Sequence, residues 1–302
     1  MQFKWNGNDG FYTDAANWTP AGVPLWDGGA SALIESGTVT LSDAEPNAIS
    51  ITLSGPDAAT QPNLVLDNAA LGPDVSLGLT PPSTEGRFVF AAFATLTIDG
   101  YDTSQATIYV GGGRGGPGPQ FLTIAIAPYG QLNQEGTINL SLGTLLVNGT
   151  GQAPATLNND GAINVLGTAI LSTDVIGSGT IAFLPNSTTS GLIEFGGAVS
   201  ATQHVSFNKY TAGGIRIDDP SAFHGVLDGI DGSPDGSLGS VYKVTLADTQ
   251  ATGTYFAQTT PDAGVLLVLN GQEVVGALTV TGKHGPHDFG FFSSPDGSTT
   301  LT

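Results

Sequence analysis

Along most of the chain, apolar and polar residues alternate in short runs bounded by Gly, Asn, Asp or Pro, the period of a half-buried β-strand. Such runs include SALIESGTVTLS (31 to 42), AISITLSG (48 to 55), NLVLDN (63 to 68), GRFVFAAFATLTIDG (86 to 100), ATIYVGG (106 to 112) and FLTIAIAP (121 to 128). Apolar positions at helical spacing are scarce, so the pattern predicts an all-β chain. The middle third adds self-similarity. LNQEGTINL begins at Leu132 and LNNDGAINV at Leu157, 25 residues later, and GSGTIAF (177 to 183) repeats the Gly-x-Ile core of both. A unit of that length made only of short strands cannot bury both faces alone and must stack on its neighbours. The spacing therefore predicts a β-solenoid of about eight to ten rungs. Leu, Ile, Val and Phe would line its interior, and Asn133 and Asn158 would hold equivalent corners. A β-sandwich explains the strands but not the 25-residue echo.

A solenoid needs covered ends, because exposed apolar rungs and unpaired strand edges invite aggregation. The opening FKWNGNDGFYTDAANWTPAGVP (3 to 24) carries Trp5, Phe11, Tyr12 and Trp18, and Trp26 follows. These rings read either as an aromatic N-terminal cap, the favoured expectation, or as platforms for sugars. The expected division is one β-helix domain over residues 1–302, with a cap over 1–45, rungs over 46–200 and C-terminal rungs with a strand-rich cap over 201–302.

Several motifs resemble bacterial secreted and surface parallel β-helix proteins of the adhesin or autotransporter-passenger type. They are WNGNDGFYTDAANWTPAGVP followed by ALIESGTVTL, the Asn-x-Gly-x-Ile rungs, GSGTIAF, and VSFNKYTAGGIRIDDPSAFHGVLDGI. In the last stretch, Ile215, Ile217, Asp218, Pro220, Phe223, Gly225, Leu227 and Gly229 sit on a Leu-x-Leu-Asp-x-Pro-x-x-Phe-x-Gly-x-Ile-x-Gly pattern of those proteins. The resemblance implies a right-handed coil and an extracellular or cell-surface location. It also implies a non-enzymatic role in presenting loops to a glycan, a cell surface or a matrix. The first ten residues lack the charged-then-apolar layout of a secretory signal.

Composition narrows the partners. Seven Lys and Arg against 26 Asp and Glu give a formal net charge of −19, which repels a phosphate backbone and anionic membrane surfaces, so neither nucleic acid nor membrane insertion is expected. There is no cysteine, hence neither a disulfide framework nor a thiolate metal site. Oligomeric state is not readable.

Parallel β-helices also carry polysaccharide lyases and depolymerases, so an enzymatic alternative is weighed. Its candidate residues are Arg216, Asp218, Asp219 and His224, gathered in IRIDDPSAFH, since a lyase needs a base to take a proton and cations or calcium to stabilise the developing charge. A surface ion pair explains Arg216 and Asp218 equally. The cations are scattered, and the polygalacturonase set of Asn-Thr-Asp and Arg-x-Lys does not occur. No cofactor is required. Calcium is a candidate ligand for Asp228, Asp231 and Asp235 in DGIDGSPDG (228 to 236), since hard oxygen donors on a Gly-rich loop suit it; a solvated turn is the alternative. HGPH (284 to 287) places His284 and His287 beside Asp288, a thin donor set for zinc or nickel. GGGRGGPGP (111 to 119) lacks the Lys-Ser/Thr ending of a phosphate loop.

Overall fold

A computed structural model describes residues 1–24, 30–42, 50–53, 61–67, 69–71, 76–79, 92–98, 101–104, 107–110, 120–141, 143–184, 191–207, 213–230, 242–286 and 288–301. The chain is all-β. Apart from one 3-10 turn at Ala15–Asn17, the described residues with regular structure are strands. They gather in two compact units, Met1–Ile163 and Asn164–Thr302.

From Asn63 onward the first unit visits three sheets in a fixed cycle, and each return is parallel to the previous pass. One sheet runs through Thr38–Ser42, Asn63–Asp67, Ala92–Ile98, Gln120–Ile126 and Thr144–Gly149. A second runs through Ala70–Leu71, Tyr101–Ser104, Gln131–Gln134 and Thr156–Asn159. The third runs through Gln2–Trp5, Ser31–Ile34, Ser50–Leu53, Ser76–Leu79, Thr107–Val110 and Thr137–Leu140. This cyclic order is consistent with a β-solenoid. The alternation seen in the sequence becomes columns of side chains. Val39, Leu64, Leu96, Ile124 and Val147 stand in one buried column. Outward in the same sheet lie the half-buried Thr38, Asn63, Thr95 and Thr123.

The two echoed segments do occupy equivalent places. Leu132 pairs with Leu157 and Asn133 with Asn158, and Asn158 Nδ2 donates to Asn133 Oδ1 across the coils at 3.1 Å. The asparagines sit on strands, one position out from the buried leucines. The Gly of the second repeat is forced by the same stacking: a Cβ on Gly161 would fall on the carbonyl oxygen of Gly136. One inward column is polar, with Ser104, Gln134 and Asn159 in register and fully buried.

The N-terminal segment closes this unit's third sheet. Trp18–Thr19 pairs antiparallel with Gln2–Trp5 and takes up the edge of that strand. Trp5, Tyr12 and Trp18 are 2%, 2% and 1% exposed. Their rings meet edge to face, with centroids at 4.9 Å for Trp5 and Trp18 and 5.1 Å for Tyr12 and Trp18. Trp18 Nε1 donates to the Tyr12 carbonyl at 2.8 Å and Trp5 Nε1 to that of Asn8 at 2.6 Å. Burial pushes the Tyr12 phenol far above its ordinary pKa. Trp26 and residues 27–29 lie outside the described residues.

In the second unit, Thr168–Leu171, Gly191–Phe195, Gly213–Ile217 and Tyr242–Leu246 stack in parallel. Thr180–Phe183, His204–Ser206 and Val226–Asp228 form another parallel set, continued by Glu273–Thr281. Ile181, Val205, Leu227 and Val280 make one inward column. Phe183 stacks on Phe207 with centroids at 5.0 Å and fills the space left by Gly191 and Gly213, where a Cβ would come within 2.9 Å of its ring. Beyond Gly253, apart from the parallel pairing of Glu273–Thr281 with Val226–Asp228, the strands pair antiparallel. An antiparallel meander, Gly253–Thr260, Ala263–Asn270 and Glu273–Thr281, completes one sheet. Thr299–Leu301 and Phe291–Ser293 complete the other, also antiparallel.

Candidate functional site

The residues singled out from IRIDDPSAFH all lie in the second unit. Gly213–Ile217 buries Ile215 and Ile217 and turns Arg216 outward between them. Arg216 Nε donates to Asp218 Oδ1 at 2.8 Å, and the two side chains remain 41% and 37% exposed. In adjacent strands Arg216 faces Glu194 on one side and Thr245 on the other. A singly bonded, half-exposed pair of this kind contributes about 0–1 kcal/mol.

Asp219 points its carboxylate into its own turn, where Oδ1 accepts from Ser221 Oγ at 2.6 Å and Ser221 N at 3.0 Å. Those bonds, the hydroxyl first, hold its pKa below the usual carboxylate value. His224 is exposed, and its backbone N–H donates to Val199 O at 2.9 Å. Arg216 and Asp218 are thus brought together, while Asp219 is committed to the turn. No hydrogen bond or ion pair links His224 to any of the three among the described residues.

Of the three calcium candidates, Asp231 and Asp235 lie outside the described residues. Asp228 ends the strand Val226–Asp228, and its Oδ2 meets His204 Nδ1 at 2.7 Å, with Ser206 Oγ 3.5 Å from the same oxygen. Among the described residues, no group of three or more His, Cys, Asp or Glu side chains is placed to hold a metal ion. In HGPH, His287 is outside the described residues. His284 Nε2 donates to Thr281 O at 3.1 Å, and its ring packs against Phe256 and Phe289. Asp288 Oδ2 accepts from Gly285 N at 2.6 Å, inside its own turn.

The His204–Asp228 pair has no motif in the sequence. The two residues are 24 apart and meet because Ser206 and Asp228 are register partners on adjacent parallel strands. A carboxylate only accepts, so Nδ1 carries the proton and a neutral ring keeps Nε2 as a base. The side chains are 45% and 27% exposed. The set names Ser, His and Asp, but the order differs from a nucleophilic triad. There, the imidazole stands between hydroxyl and carboxylate; here the carboxylate stands between the other two. Ser206 is therefore not activated by His204.

Among the described residues, no helix is long and apolar enough to cross a membrane. No family model, curated protein or solved structure matches the chain.

Proposed function

We propose that the chain is a right-handed parallel β-solenoid that works outside the bacterial cell as a non-enzymatic scaffold or adhesin, presenting its outward surface to a glycan, a cell surface or a matrix. The observation that carries this reading is the division of labour within each coil. Aliphatic columns fill the interior, while register stacking lines the outside with rows of short polar side chains such as Thr38, Asn63, Thr95 and Thr123. A rigid lattice of neutral polar groups suits repeated weak contacts with a polymer, whose summed effect gives avidity without any deep pocket. The formal charge of −19 favours solubility and works against polyanionic partners.

Retention and turnover measured together test the reading. The purified chain is passed over immobilised polysaccharides and whole bacterial cells, and each soluble polysaccharide is assayed for chain scission. Retention without scission is expected. Scission abolished by His204→Ala would replace the scaffold reading with a depolymerase, and the absence of both retention and scission across the panel would remove it.

A further inference from the structure

We infer that the corner centred on Tyr129 is the glycan contact of the first unit, and that its ligand is a neutral polysaccharide chain. This assignment rests on the glycan-binding reading above and names the place where it acts.

Tyr129 is 73% exposed and holds a left-handed backbone, φ 61°. A non-glycine residue in that region is strained, and a bulky ring there gains nothing in water. The conformation is held by the next coil: Tyr129 N donates to Pro154 O at 3.0 Å, while Gly130 N closes the turn onto Ala127 O at 2.8 Å. The backbone that carries the ring is thus fixed at the entry to the strand Gln131–Gln134. Such a ring offers a flat apolar face with a polar tip, the form that stacks on the C–H face of a sugar.

Beyond Tyr129 the outward positions of two coils form a short lattice. Gln131 is opposite Thr156 and Asn133 opposite Asn158. With a rise of about 3.3 Å per residue, Gln131 and Asn133 stand roughly 7 Å apart along the strand, and the next coil lies about 4.8 Å away. The amides are already oriented. Gln131 Nε2 and Asn158 Nδ2 both donate to Asn133 Oδ1, at 2.5 and 3.1 Å. Asn158 Nδ2 also donates to Asp160 Oδ2 at 3.1 Å, and Asn133 Nδ2 to Asp102 O at 3.3 Å. Among the described residues, Gln131 Oε1 and Asn158 Oδ1 receive no hydrogen bond. They are fixed acceptors for sugar hydroxyls, and their ordering entropy is spent before the ligand arrives. The exposed Asp160 at the far end of the row turns away an anionic chain.

Affinity electrophoresis through gels containing galactomannan, dextran or alginate tests the assignment, with Tyr129→Gly as the decisive variant. Glycine relieves the left-handed strain while removing the ring, so the variant is expected to melt no lower than the parent. Retardation by a neutral gel should fall at least tenfold, and Asn158→Leu should lower it several-fold. Parental retardation with no change in Tyr129→Gly would overturn this site and leave glycan binding elsewhere on the chain intact. No retardation of the parent in either neutral gel, or retardation by alginate alone, would overturn the site and the neutral-glycan reading with it.

Discussion

The first and last segments of the chain both end parallel sheets with antiparallel strands, but they divide their aromatic side chains between core and surface differently. At the N-terminus, Trp5, Tyr12 and Trp18 are buried, and both indole N–H groups find carbonyls. At the C-terminus, Phe256 and Phe289 are buried against each other and His284, while Tyr255, Phe291 and Phe292 stay 44%, 39% and 64% exposed. The Gly253–Thr260 edge is covered: Phe256 N donates to Pro286 O and Thr254 Oγ1 to Phe289 O. Both ends combine strand pairing with a buried aromatic cluster, and the C-terminal end leaves three further rings outside. The lesson is that strand pairing does not by itself dictate where the rings go, and that each buried cluster adds stability beyond termination.

The largest effect should come from breaking the buried cluster. Trp18→Ala removes a fully enclosed ring and is expected to cost about 3–5 kcal/mol, read as a lowered midpoint in guanidinium denaturation. The C-terminal meander can be overpacked instead. A Cβ at Gly264 would run into the Phe256 ring and the Ala257 carbonyl, so Gly264→Ala should cost about 1–3 kcal/mol, with hydrogen exchange rising first in Gly253–Asn270.

Phe292→Ser tests the exposed end. Its stability should move by no more than about 0.5 kcal/mol, whereas light scattering at high concentration should fall, because the Phe291–Ser293 edge loses an apolar side chain. The smallest effect is electrostatic. The folded-state pKa of Asp219 is depressed by Ser221, and that of Asp296 by Ser298, backbone N–H before hydroxyl. A depressed carboxyl contributes stability that is present above its unfolded pKa and lost as pH falls through the folded value. NMR titration should find Asp219 below the ordinary carboxylate range, and Ser221→Ala should return it upward without altering the neutral-pH fold.

How much of this was legible depends on spacing. The Leu132/Leu157 echo survives as a true register because those coils are 25 residues apart and contain similar strands. Ala69 and Asp102, joined by a hydrogen bond across another pair of coils, are 33 apart. Unequal steps hide Thr38, Thr95 and Thr123 as a common column, since no fixed period connects them. The aromatic cap was visible as a cluster of large rings among turn residues. Burial takes Trp5, Tyr12 and Trp18 out of the sugar-platform reading, while Phe11 stays 57% exposed and Trp26 lies outside the described residues. Arg216 and Asp218 were readable because residues two apart on a strand share a face. His204 with Asp228, and the strained Tyr129, depend on long-range register and on one backbone angle, which no local motif encodes.

Unequal coils have one more consequence. Because the paired strands carry the alignment, the length of chain between them is not a parameter of the stack, and doubling a connecting loop costs only about 0.6 kcal/mol of closure entropy. Insertions at the corners can therefore accumulate or be exchanged while the hydrophobic filling keeps its order. The surface can diversify toward new partners on an inherited frame.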